Sequence, residues 1–332
     1  MANVTLKDIA REANLSATTV SQILNGRKIN HASPESRKLV LDIAKRLNYR
    51  PNLSARQLVT RKNNIIGILI DTMSPLAYRD VLTELEHIAF ERGMRLQVGM
   101  IHDNLEAIKN YINDFHGSGV RTIICAAHSY PDFGMGIPAL LEGFERLVFL
   151  EEPLAPTPFP YVASDHYKNY YGAVELMLQK GYRNIYSLRH DYHDKAFSAS
   201  YAGMKQAFLD SDIEWQESFW RLSKPEILAG ELTELVAAKA EVIIADSDME
   251  ILKILKLLRS MSLRVPDDIC LFSAESSPFA ADITPSLAGF KYQPELMAQK
   301  IFACLDAQAE GNAGILSQHI TATIYRGESC PL

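Results

Sequence analysis

At 332 residues, 47% of them hydrophobic and 22% charged, the chain can bury more than one sizeable core. No apolar run is long enough to span a bilayer, and the N-terminus is polar and opens a capped helix, so a membrane protein and an exported one are set aside and a cytoplasmic location is expected. Cys125, Cys270, Cys304 and Cys330 stand far apart with no C-x-x-C, which sets aside metal and redox centres and makes them reduced core or tail thiols; no cofactor is expected. The charge is unevenly placed. Residues 1–62 hold 12 Lys or Arg against 4 Asp or Glu, a net +8, which against −6 for the chain leaves −14 on the remaining 270. A basic head on an acidic body attracts a polyanion at one end only, and neutralising phosphates releases counterions, which makes binding steeply salt-dependent.

The head begins with two short helical patterns in VTLKDIAREANLSATTVSQILNG, separated by Asn14-Leu15-Ser16, and a third runs from Pro34 to Leu47. Thr5 is placed to cap the first helix, with Asp8 at the capping-box position; Ser16 caps the second, and Ser33-Pro34-Glu35 starts the third. Ile9, Val20, Ile23, Leu24, Leu39, Ile43 and Leu47 are the expected core. This is a helix-turn-helix pattern, whose second helix enters the major groove by its N-terminal end. By position Ala17, Thr18 and Gln22 face base edges, Ser16, Thr19, Ser21 and Asn25 lie nearer the phosphates, and Thr5 is counted with the DNA-facing set. Glutamine can pair bidentately with adenine N6 and N7. Residues 1–50 form this domain and 51–62 a hinge, in which LSARQL is a helix-former too short to stand alone.

From residue 63 the pattern alternates. Ile65 to Ile70 is an apolar run of strand length, followed by a helix from about Leu76 to Arg92 with Val81, Leu82, Leu85, Ile88 and Ala89 on one face and Gly93 as terminator. Strands follow at Leu96–Met100, Thr122–Ala126 and Leu147–Leu150, with a helix bearing Ile108, Tyr111, Ile112 and Phe115 and another near 137–145. A second series after Ser164 has a helix to Gln179, strand Asn184–Leu188, helix Tyr201–Leu209, strand Val242–Ala245, helix Met249–Ser260 and strand Ile269–Ser273. The fold class is therefore a small all-α helix-turn-helix head plus an α/β body of two doubly wound parallel-sheet lobes. Ligands of such sheets lie beyond the strands' carboxyl ends, where Asp71, Tyr78, His128, Phe149, Asp165, Arg189, Trp220, Asp246 and Glu275 fall. The aromatics could stack on a ring and Arg189 could hold an anion; equally, a strand-end Asp can be a helix cap and Trp220 packed core.

The stretches VTLKDIAREANLSATTVSQILNG, LNYRPNLSARQL (47–58) and NNIIGILI (63–70) together resemble the lactose-repressor (LacI/GalR) family of bacterial transcription regulators. The resemblance implies a periplasmic-binding-protein-like body whose chain crosses between lobes near Ala163, Phe290 and Ile320. Lobe one is then 63–163 with 291–320, and lobe two 164–290 with 321–332. It also implies paired hinge helices in the minor groove that push a leucine between base pairs. The matching residue is Leu58, accompanied by Asn52, Ala55 and Arg56. Many relatives carry arginine where Gln22 stands, so an altered half-site is expected. The pocket departs from the family's pattern: Ser200 occupies the position of an arginine, and Asp246-Ser247 that of an Asn-Asp pair. With a positive charge gone, the cleft should favour neutral or cationic ligands over simple anions unless Arg189 turns into it.

An enzyme would need a phosphate loop or a catalytic set, yet Gly134-Met135-Gly136 lacks a third glycine and a strand before it. A solute-binding protein would need neither head nor hinge. The reading is a homodimeric regulator, a repressor acting on double-stranded operator DNA and controlled by a small molecule between the lobes. Its rival is a DNA-binding regulator whose body has become ligand-free.

Overall fold

The computed structural model describes residues 4–24, 32–49, 64–71, 77–101, 104–127, 130, 132–189, 195–222, 228–312 and 317–332. The chain divides into two units, residues 1–62 and residues 63–332. In the first, α1 (Leu6–Ala13), α2 (Ala17–Leu24) and α3 (Pro34–Arg46) enclose a small core of Ile9, Ala10, Ala13, Val20, Ile23, Val40, Ile43 and Ala44. The expected starts are in place. Asp8 accepts from the Thr5 N–H at 2.9 Å and its hydroxyl at 2.7 Å, Ser16 Oγ accepts from the Thr19 N–H at 3.0 Å, and Ser33 Oγ from the Ser36 N–H at 3.2 Å. Asn14 takes a left-handed conformation (φ 52°), and the N–H groups of Asn14 and Leu15 close the last turn of α1. One core assignment fails: Leu39 is 48% exposed and Val40 is buried in its place. Val40, Ile43 and Ala44 share one face at i, i+3 and i+4, and Leu39 stands one residue, about 100°, off it. An Arg46–Glu12 ion pair joins α3 to α1.

In the body, β1 (Ile65–Asp71), β2 (Arg95–Ile101), β3 (Thr122–Cys125), β4 (Arg146–Leu150), β5 (Tyr161–Ser164) and β11 (Gln318–Ile320) form one wholly parallel sheet, ordered β11-β5-β4-β3-β1-β2. Alternate residues feed opposite layers. Ile66, Ile68, Ile124, Val148 and Leu150 pack against α4 (Ala77–Glu91) and α11 (Pro294–Ala309), whereas Leu69, Ile123, Cys125, Leu147 and Phe149 pack against α5 (Leu105–Gly117). Helices on both faces explain why the strands are continuous apolar runs. The helix expected near 137–145 shrinks to α6 (Ile137–Leu140), entered through a 3-10 turn at Gly134–Gly136.

The second sheet, ordered β12-β10-β9-β8-β6-β7, comprises β6 (Ile185–Arg189), β7 (Trp220–Leu222), β8 (Val242–Ala245), β9 (Cys270–Ser273), β10 (Ala288–Lys291) and β12 (Thr323–Tyr325). All its pairings are parallel except β10 with β12. Its helices are α7 (His166–Gln179), α8 (Lys195–Asp210), α9 (Leu228–Ala237) and α10 (Asp248–Ser260). The chain passes between sheets after β5, after β10 and between β11 and β12. These three strands of chain are tied together: Asp165 N–H donates to Ile320 O (2.9 Å), Ala322 N–H to Asn169 Oδ1 (2.8 Å) and Gln293 Nε2 to Thr321 O (2.7 Å). Such a bundle is where two lobes would pivot. No helix among the described residues is long and apolar enough to cross a membrane.

Candidate nucleic-acid interface and effector cleft

In the head, Thr5, Ser16, Ala17 and Thr18 are exposed, Thr19, Ser21 and Gln22 are half-buried, and α2 presents its N-terminal end with Ser16 and Thr19 linked by their hydroxyls at 2.8 Å. Val20 and Ile23, on the other face of α2, hold it against α1 and α3. A short helix anchored by two apolar residues, with its polar end free, can be laid into a groove as a rigid reader. Asn25, Asn52, Ala55, Arg56 and Leu58 lie outside the described residues.

In the body, three of the expected cleft residues come together. Arg189 ends β6, Asp246 follows β8 and Trp220 opens β7. Arg189 Nε lies 2.6 Å from Asp246 Oδ1, with both side chains 11% exposed, and Nη1 donates to the Tyr170 hydroxyl at 2.7 Å. The guanidinium also stands 5.6 Å from the Tyr170 ring centre and 5.9 Å from that of Trp220. Burial opposes its charge, but Tyr170 and Asp246 more than restore it, holding it above its ordinary range. Burial likewise pushes the Tyr170 and Tyr292 hydroxyls up, and Tyr292 donates to Ala274 O at 3.0 Å. Trp220 sits among the rings of Phe197 (5.2 Å), Tyr201 (5.6 Å) and Tyr170 (5.8 Å), so it is both a wall of this cluster and packed core. Its Nε1 is buried with no hydrogen-bond acceptor among the described residues.

Other expected members lie elsewhere. Phe149 is fully buried in the apolar layer under α5, because its place in the strand alternation turns it away from the cleft. Asp165 caps α7: Oδ1 accepts from the Lys168 N–H at 3.0 Å and Oδ2 pairs with Lys168 Nζ at 2.9 Å. Ser200 is fully buried inside α8, its hydroxyl without a hydrogen-bond partner among the described residues, so it offers no exposed polar group. Tyr78 packs against the layer under α4, and His128 lies outside the described residues. Asp71 and Ser247 are half-buried at element ends; Ser247 stands at the start of α10 without a side-chain capping bond. Glu275 is half-buried in a turn that Ser273 Oγ closes onto its backbone.

The sequence reading missed Glu151. It follows β4 in a left-handed conformation (φ 69°), its two oxygens accept from the Ser164 N–H at 3.1 and 3.2 Å, and Oε2 lies 3.3 Å from His166 Nε2. It thus reaches from the end of one lobe's strand to the first helix of the other. The rule that singled out Asp71, a carboxylate directly after an apolar strand, points equally to Glu151 after Arg146–Leu150.

Residues 5–52 match the bacterial regulatory proteins of the lacI family, and residues 174–330 match the periplasmic binding protein-like domain. The chain is 24% identical over 309 residues to the HTH-type transcriptional repressor PurR of Erwinia tasmaniensis, covering 91% of this chain and 89% of that protein. The PurR of Escherichia coli O139:H28 is similar to the same extent, 24% over 309 residues. Among solved structures, the lac repressor dimer bound to operator and the anti-inducer ONPF superposes with a TM-score of 0.84 at 20% identity over 100% of both chains. The transcriptional regulator CelR-cellobiose complex does so with 0.71 at 20% identity, over 99% of this chain and 100% of that one. The helix-turn-helix head and the paired parallel sheets thus occur together in one lineage: this chain is a member of the LacI family of bacterial regulatory proteins, a DNA-binding regulator of transcription and not an enzyme.

Proposed function

We propose that the protein is a cytoplasmic, homodimeric repressor whose affinity for a pseudo-palindromic operator is set by a small, uncharged molecule held between its lobes. The observation that carries the ligand part is the cluster of Arg189 and Asp246, at the carboxyl ends of β6 and β8, with Trp220 from the start of β7 and Tyr170 from α7. Arg189 is already neutralised by Asp246, so an anion would have to displace a buried carboxylate, and a cation would meet a guanidinium. The orphaned Trp220 Nε1 is a donor suited to a neutral acceptor such as a hydroxyl or carbonyl oxygen. A thermal-shift screen of free sugars, nucleosides, amines and sugar phosphates, on wild type and on Trp220→Ala, tests this. A shift from a neutral compound that Trp220→Ala abolishes is expected; a strong shift from a sugar phosphate overturns it. The caging of Trp220 by three rings favours a second reading, a body that fills its own cleft, and no shift from any class would select it.

The DNA part rests on the exposed end of α2 and the hinge. Gln22→Ala should flatten base preference at one operator position by about 1 to 3 kcal/mol, and Leu58→Ala should weaken operator binding with dimerisation intact. Residues 1–62 alone should bind far more weakly than the whole chain at equal salt, since nothing then holds two hinges together. The dimer face is assigned to the first lobe, where Phe90 on α4 and Val98 and Met100 on the edge strand β2 are 61%, 45% and 54% exposed. Light scattering should give a dimer that Val98→Glu with Met100→Glu dissociates.

A further inference from the structure

We propose that Cys270 and Cys330 are a peroxide-sensitive pair that forms a reversible disulfide, locking the C-terminal tail onto the second lobe. Sixty positions apart in sequence, they are neighbours in the fold. The Leu271 N–H donates to Ser329 O at 2.8 Å and Ser329 Oγ donates to Leu271 O at 2.7 Å, so the residue before the one and the residue after the other lie side by side. Both thiols are buried and free, and each shifts the other's titration, as thiols standing side by side do. The tail is held in place on its other side as well: the Ala288 N–H donates to Ser329 Oγ at 2.9 Å, the Ser329 N–H to Ser286 O at 2.9 Å, and the Ser286 N–H to Glu328 at 3.0 Å. Few degrees of freedom remain to be lost when the sulfurs join.

The surroundings make the two thiols unequal. Cys330 and the Tyr182 hydroxyl, 3.3 Å from Cys270 Sγ, hold the Cys270 thiol below its ordinary range against the effect of burial, while the contact with Cys270 and burial push Cys330 up. The thiolate is the nucleophile, and the Tyr182 hydroxyl, placed to donate to Cys270 Sγ at 3.3 Å, makes Cys270 the attacking sulfur and Cys330 the resolving one. Burial pushes Cys125 up to about 12 and also raises Cys304, so these two are inert controls in the same chain. A shallow depression of about 700 Å³ lined by Val265, Pro266, Pro285, Glu328, Pro331 and Leu332 flanks the pair: neither sulfur lines it, but Pro266 O lies 3.8 Å from Cys270 Sγ and Pro331 follows Cys330 directly.

The oxidant is hydrogen peroxide. The Cys270 thiolate attacks one peroxide oxygen, the O–O bond breaks, and the departing hydroxide takes a proton and leaves as water, giving a sulfenic acid. The Cys330 sulfur then attacks the Cys270 sulfur and loses its proton, the S–O bond breaks, and a second water departs. Two thiols and one peroxide become one disulfide and two waters.

The test uses the full-length chain. After treatment with excess hydrogen peroxide and quenching with N-ethylmaleimide, non-reducing peptide mapping should find two of the four cysteines joined as Cys270–Cys330, with Cys125 and Cys304 alkylated, and dithiothreitol should restore the pair. Cys330→Ser should instead accumulate a dimedone-reactive sulfenic acid at Cys270, and Cys270→Ser should lose no thiol to peroxide. Retention of all four thiols by the wild type, or a cross-link through Cys125 or Cys304, overturns the proposal. Mapping on the wild-type chain needs no variant, so a substitution that fails to fold leaves the test decisive.

Discussion

The two lobes have the same architecture and different polar content. Among the described residues each has six strands, with helices on both faces. The first keeps an ion pair such as Arg92–Asp306 at the surface, 40% and 50% exposed, and turns Phe90, Val98 and Met100 outward. The second buries Arg189–Asp246 beneath aromatic rings and clamps the tail between β9 and β10. One backbone plan therefore carries exposed apolar side chains in one lobe and a buried ion pair in the other, and what separates them is which side chains stand at strand ends and edges.

The contrast between the ion pairs can be broken by removing one carboxylate from each. Asp246→Ala leaves a buried guanidinium unpaired and should cost about 3 to 5 kcal/mol in urea unfolding. Asp306→Ala should cost under about 1 kcal/mol, because water and salt already screen its contact with Arg92, whose Nη1 donates to both carboxylate oxygens. Equal losses would mean that burial does not distinguish the lobes. Packing offers a second comparison. A Cβ on Gly203 would lie 2.2 Å from the Tyr167 carbonyl oxygen, a backbone atom where α7 meets α8, so Gly203→Ala should lose about 1 to 3 kcal/mol. In the first lobe a Cβ on Gly67 meets the end of the Ile123 side chain at 2.5 Å, which can rotate, and Gly67→Ala should be milder.

A further small effect concerns the passage between lobes. Asp165→Ala should cost about 1 kcal/mol through the lost cap of α7. Burial works to raise the Asp165 carboxyl, but the bonds and charge of Lys168 prevail and hold it below its ordinary 3.8. A folded value below the unfolded one means that the contribution is complete above pH 3.8 and is lost as pH falls through the folded value. Acid-unfolding curves of wild type and Asp165→Asn should therefore differ at neutral pH and converge below that point. A gap that persists there would remove Asp165 from the ionised cap.

Much of the fold was legible because local rules sufficed. Thr5, Ser16 and Ser33 announce helix starts through hydrogen bonds that span three residues, and the continuous runs Ile65–Ile70 and Val242–Ala245 can only be strands covered on both sides. The short strands β5, β7, β10, β11 and β12 and the helices α9 and α11 escaped notice; strands of three or four residues carry little periodicity. The candidate cleft was half legible. Strand-end position selected Arg189, Asp246 and Trp220, but it also selected Phe149, which alternation turns inward, and Asp165, whose carboxylate is used by its own helix.

What the sequence determined by itself is therefore what depends on neighbours along the chain: the capped helix-turn-helix, its basic charge, the alternating α/β pattern and the family they belong to. Tertiary structure decided what depends on residues brought together from afar. It paired Arg189 with Asp246, carried Glu151 to His166 across the lobes, and set Cys330 beside Cys270. None of these pairings leaves a periodic or spacing mark in the chain, because each is made by the crossing of segments whose separation in sequence is set by the loops and helices between them and not by the contact itself.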